Sequence, residues 1–119
     1  MVLDAHIHME QANAKDAQSN LLSKMQLAGV DGGVLMSPDP VKYREVPADK
    51  RMDAALELCK GKKRLFPFYW IDPTDSDALK QVDAAVSKGI MGFKIICSGF
   101  YPSDNRVLDV CERAASLDK

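Results

Sequence analysis

An α/β fold with four parallel strands in the order 1-2-3-4, each followed by a helix, is what this sequence predicts, and three observations predict it. Apolar, β-rich runs alternate four times with segments of helical period. Gly29, Gly61 and Gly89 each follow a helical segment, where a left-handed C-cap residue is wanted. The connections after the second and third helices are short, as expected where a helix returns to the next parallel strand.

The first strand covers residues 2–7, and Leu21, Met25 and Ala28 mark the apolar side of the helix after it. A second strand at 33–37 leads into a loop from Ser37 to Pro47 that holds three prolines. Met52, Ala55, Leu56 and Cys59 then fall at i, i+3, i+4 and i+7, which gives the second helix one apolar face. Strand 65–71 follows, and Leu79, Val82 and Val86 define a third helix, with capping oxygens available from Thr74 to Asp77. Strand 91–97 and a helix carrying Val107, Val110, Cys111 and Ala114, capped within Ser103 to Asn105, complete the series. Residues 1–119 thus form a single domain. Four consecutive βα units amount to the first half of a (β/α)₈ TIM barrel, whose chemistry sits on the loops at the C-terminal strand ends.

Composition narrows the function. The 119 residues are 46% hydrophobic and 28% charged, with 16 basic against 17 acidic side chains, a globular composition with no excess of either sign. The longest basic run, Lys60-Gly61-Lys62-Lys63-Arg64, follows a helix, where cations suit the C-terminal dipole. Nucleic acid is therefore not the expected partner, and a small molecule is. Cys59, Cys97 and Cys111 are odd in number and lack C-x-x-C spacing, which argues against both a disulfide framework and a thiolate zinc site. With no apolar run of membrane-spanning length and no room for a leader before Asp4, a cytoplasmic protein without a membrane partner is expected.

Both histidines lie in one run, Asp4-Ala5-His6-Ile7-His8, at the end of strand 1. Alternation along the strand sends Asp4, His6 and His8 to one side and Leu3, Ala5 and Ile7 to the other. Two imidazoles on a stiff strand suit a divalent transition metal. Lys94 lies mid-strand among Phe93, Ile95 and Ile96, where a buried ammonium needs a charge partner such as Asp4 or must be neutralised.

These two segments, Asp4-Ala5-His6-Ile7-His8 and Gly92-Phe93-Lys94-Ile95, resemble the strand-1 and strand-4 motifs of the amidohydrolase superfamily of metal-dependent hydrolases. The resemblance implies that His6 and His8 bind a divalent metal, zinc first among candidates. In the binuclear branch a strand-4 lysine is carboxylated and bridges two ions, so Lys94 would be a ligand if carboxylated; a complete barrel holds one ion or two. It implies a hydrolase acting on C–N, C–O or ester bonds of a small molecule through a metal-activated water, with a decarboxylase of the same fold and a non-catalytic self-associating half-barrel as alternatives. The family's further histidines on strands 5 and 6 and its strand-8 aspartate have no counterpart here. This polypeptide alone is thus expected to be inactive, a truncated site that requires either self-association or a missing C-terminal half-barrel. Ile96-Cys97-Ser98-Gly99 also departs from the histidine that many mononuclear relatives place after the strand-4 lysine.

Other residues carry weaker signals. Phe100 and Tyr101 are candidates to wall a substrate pocket, Asp72 to face the site or simply turn the chain before Pro73, and Asp39, Tyr43 and Arg44 to orient a polar substrate. Cys97 occupies a possible nucleophile position but lacks a free histidine to activate it. Cys59 and Cys111 read as core residues on apolar helix faces.

Overall fold

A computed structural model describes residues 1–9 and 16–119. Its elements are β1 (Leu3–His8), α1 (Ala17–Leu27), β2 (Gly32–Met36), α2 (Ala48–Cys59), β3 (Leu65–Trp70), α3 (Ala78–Lys88), β4 (Gly92–Lys94) and α4 (Asn105–Ser116). The strands form one parallel sheet in the order β1-β2-β3-β4, so β1 and β4 are its edges. Part of the β1–α1 connection expected to be rich in polar residues lies outside the described residues.

Alternation along the strands sorts the sheet into two faces. Leu35, Leu65, Tyr69 and the half-buried Ile7 and Phe93 face the helices, where they join two apolar clusters. One cluster unites Met52 and Ala55 of α2 with Val82 and Ala85 of α3, Val110 and Ala114 of α4, and Tyr69 and Ile71. The other gathers Met25 of α1 with Leu58 and Cys59 of α2 around Leu35 and Leu65. Val34, Phe66, Phe68, Trp70 and Lys94 alternate with these residues and occupy the opposite face.

One polar network inside the helical layer joins β3 to α3. The Tyr69 hydroxyl donates to Gln81 Oε1 at 2.7 Å, and Gln81 Nε2 donates to Asp77 Oδ1 at 2.7 Å and Asp75 Oδ2 at 3.2 Å. Asp77 thereby spends its carboxylate on Gln81 and makes no side-chain cap on α3, whereas Asp104 caps α4 by accepting from Arg106 N at 3.0 Å. Gly89 adopts φ 101° at the end of α3, and Gly29 and Gly61 also have positive φ, as the C-cap argument requires.

Four expectations are corrected. Strand 4 stops at Lys94 rather than residue 97, because its only neighbour ends at Trp70 and the last ladder bond runs from Ile71 N to Lys94 O. On α3 the buried stripe is Ala78, Gln81, Val82 and Ala85, and Leu79 is exposed. Cys111 is exposed too, since α4 closes the helical layer and only Val107, Val110 and Ala114 reach its neighbours. In β1 the pairing shifts register between Asp4 and Ile7, so strict alternation does not hold across the strand. Gly33 opposite this bulge is needed there, because a Cβ would strike Asp4 O and, at 2.8 Å, Ile7 Cδ1. Among the described residues no helix is long and apolar enough to cross a membrane.

Candidate metal centre

The bulge in β1 turns the His6 amide away from the ladder, and the Asp4 side chain folds back to accept from it at 2.8 Å. Asp4 is therefore occupied locally. The expected Asp4–Lys94 ion pair is absent among the described ion pairs. His6 and His8, two residues apart after the bulge, share the face that carries Lys94 and Trp70.

On that face three side-chain nitrogens from the two sheet edges meet. His6 Nε2 and His8 Nε2 are 2.6 Å apart with their rings stacked at 4.5 Å between centroids. Lys94 Nζ lies 2.6 Å from His6 Nε2 and 3.3 Å from His8 Nε2, although 88 and 86 residues separate it from them. The Lys94 ammonium donates into this pair and rests over the Trp70 ring, 4.0 Å from its centroid. His8 also meets Trp70 edge-on, with centroids 5.3 Å apart.

Electrostatics favours neutral imidazole at His8. Burial, then the charges of Lys94 and His6, hold its pKa below the ordinary histidine value, against an opposing pull from Asp39. Lys94 is likewise lowered by burial, with Asp39 again opposing. Asp39, on the β2–α2 loop, is thus the carboxylate both groups feel, while its Oδ1 accepts from Val41 N at 2.7 Å and Lys42 N at 3.2 Å.

The donor set suits a divalent metal in type and nearly in spacing. Two nitrogens bound at about 2.0–2.1 Å in a tetrahedral shell lie about 3.3 Å apart. His6 and His8 would open by about 0.7 Å from their 2.6 Å separation to reach it, a shift that rotation of exposed rings supplies. Among the described residues no group of three or more His, Cys, Asp or Glu side chains is arranged to hold an ion, so the two imidazoles stand with an amine rather than a carboxylate.

The remaining candidates lie apart. Phe100 and Tyr101 line an open cavity of about 620 Å³ with Gly99, Ser103, Asp104 and Arg106, and neither histidine nor Lys94 belongs to that lining. Asp72 Oδ1 accepts from Thr74 N at 2.9 Å and Thr74 Oγ1 at 2.7 Å, so it turns the chain. Arg44 is exposed on the β2–α2 loop, and Tyr43 stacks with Lys42, whose Nζ is 5.3 Å from the ring centroid. Cys97 is exposed beyond β4. Sequence reasoning missed Ser37, Arg51 and Trp70, whose roles arise only when β2, α2 and β3 are assembled. Comparison with family models, curated proteins and solved structures returns no match.

Proposed function

We propose that His6 and His8 are metal-ligating residues of a metal-dependent hydrolase of the amidohydrolase type, acting on C–N, C–O or ester bonds of a small molecule. The single observation that carries this reading is the meeting of His6, His8 and Lys94 at one mouth of the sheet, from strands at its opposite edges. The sequential parallel order of the strands is the arrangement a (β/α)₈ barrel uses in its first half, with catalytic groups at strand ends.

A divalent ion at such a site supplies Lewis acidity and lowers the pKa of a bound water. The chain's own residues supply the rest. His6 and His8 present Nε2 as donors, and the hydrogen bond from His6 N to the Asp4 carboxylate holds the strand just before them. Lys94 has two possible parts: as an ammonium it holds the imidazoles together, and after carboxylation it would offer an oxygen ligand instead of a charge. A decarboxylase of the same architecture is the second reading, since it would use a metal held by the same His6 and His8 without an attacking water.

The exposed β1 and the unpaired edges of the sheet support a partner segment, either a second copy or further βα units that extend the sheet. The experiment is a zinc titration by calorimetry on the wild type and on His6→Ala/His8→Ala, followed by a panel of amides, lactones and esters against carboxylated aromatics. Zinc binding that the double substitution abolishes is expected of this chain, with turnover of the first group only where a partner segment completes the site. Equal binding by both proteins would sink the reading.

A further inference from the structure

The metal-ligating reading leaves a question about what aims the side chains. All three nitrogens sit on edge strands, each strand with a single neighbour in the sheet, and two of the three belong to Lys94 and His8. Both rest on one residue of an inner strand. Trp70 is only 9% exposed, carries Lys94 on its face at 4.0 Å and meets His8 edge-on at 5.3 Å.

Trp70 is itself held at both ends of its peptide unit. Its N–H donates to Ser37 Oγ at 2.9 Å, where β2 is leaving the sheet toward Pro38 and a side chain takes the acceptor place of the ladder. Its carbonyl accepts from Arg51 Nη1 at 3.4 Å. Ser37 and Arg51 are 1% and 4% exposed, and such polar groups are rarely buried without a task. The Arg51 guanidinium lies 5.4 Å from the Tyr69 ring centroid, and its Nε has no acceptor within the described residues, so Trp70 O is its principal directed contact. The next amide, Ile71 N, donates to Lys94 O at 3.0 Å and ties the same stretch of β3 to the backbone of the lysine above it.

We propose that Trp70 is the positioning residue of this site: its indole is the floor that sets Lys94 and His8, and Ser37 and Arg51 lock that floor from behind. The proposal rests on the metal-ligating reading only for its consequence in affinity. The contact geometry stands without a metal. The face of the indole, negative by its quadrupole, attracts the ammonium, while the ring edge limits His8 to orientations that keep Nε2 toward His6. An aliphatic side chain offers neither.

Trp70 is the sole tryptophan of the chain, so its emission reports on this contact directly. Lys94→Met and His8→Ala should each shift the emission maximum, and Lys62→Met, in the turn before β3, should not. Zinc affinity should fall about tenfold in Trp70→Leu, the loss usual when a group that orients a ligand is removed. Trp70→Phe should keep most of it, and circular dichroism identifies the folded variants. Should Trp70→Leu fail to fold, Ser37→Ala serves in its place, with the same directions in emission and affinity. A folded Trp70→Leu protein that binds zinc as tightly as the wild type would overturn the proposal. If the wild type binds no zinc, the metal reading falls and the emission test alone decides: no shift with Lys94→Met overturns the positioning role, and a shift upholds it.

Discussion

In the middle of the sheet Leu35, Tyr69 and Ile71 are closed off from water, whereas along β1 five of six residues are exposed and β4 is only three residues long. The helices give the central strands a packed face, and His6, His8 and Lys94, the residues of the proposed site, stand on the thinly covered edges. On that proposal stability and chemistry are divided between regions, with Trp70 as the bridge from one to the other. Ligating groups have to remain reachable, so an edge suits them provided that something rigid sets their direction.

Thiol chemistry should separate the two regions most widely. Burial pushes the Cys59 thiol up to about 12, while Cys97 and Cys111 are exposed. At neutral pH that leaves Cys59 with about a thousandth of the thiolate of an ordinary cysteine. Iodoacetamide labelling followed by mass spectrometry should modify Cys97 and Cys111 in the folded protein and reach Cys59 only after denaturation. Equal labelling of all three would mean that the centre is not closed.

Truncation tests the same division in free energy. Met52 is 1% exposed within the main cluster, and Met52→Ala should cost about 2–5 kcal/mol in urea unfolding. Leu3, 45% exposed on β1, should change stability by no more than about 0.5 kcal/mol when cut to alanine. Similar losses would erase the contrast between centre and edge. Ser37→Ala, which leaves the Trp70 N–H buried without its acceptor, should cost about 1–3 kcal/mol by the same measurement.

The smallest effect belongs to α4. The Arg106 side chain and backbone amide hold the Asp104 carboxyl well below the usual carboxylate range, at about 2. An acid whose pKa is depressed on folding contributes stability above its unfolded value and loses it as pH falls through the folded one. Wild-type stability should therefore drop between about pH 4 and pH 2 by slightly more than that of Asp104→Asn. Parallel acid titrations followed by circular dichroism would show the difference.

The order and direction of the four βα units were legible from periodicity and from glycine, because each helix presents one apolar stripe to the sheet. The face of α2 was readable in large part: Met52, Ala55 and Cys59 are buried as expected, whereas Leu56 is only half-buried and Arg51 and Leu58 join the buried side. α3 and α4 were less so: both have small residues on either side of the stripe, and which of them is covered depends on a neighbouring helix that sequence spacing does not locate. The juxtaposition of His6 with His8 followed from alternation over two residues. The bulge beside them did not, because it is set by the pairing of β1 with Gly32 and Gly33. Ser37 read as the start of a loop, and Arg51 drew no reading at all. A side chain that reaches across to the backbone of another strand leaves no local signature.

The central claim is that His6 and His8 hold a divalent metal on the exposed edge of this sheet, and X-ray absorption spectroscopy of the zinc-loaded protein tests it most directly. A shell of nitrogen and oxygen at about 2.0–2.1 Å, with the outer scattering of two imidazoles that His6→Ala/His8→Ala removes, is the predicted result. Sulfur scattering at about 2.3 Å from a cysteine, or a spectrum unchanged by the double substitution, would contradict it.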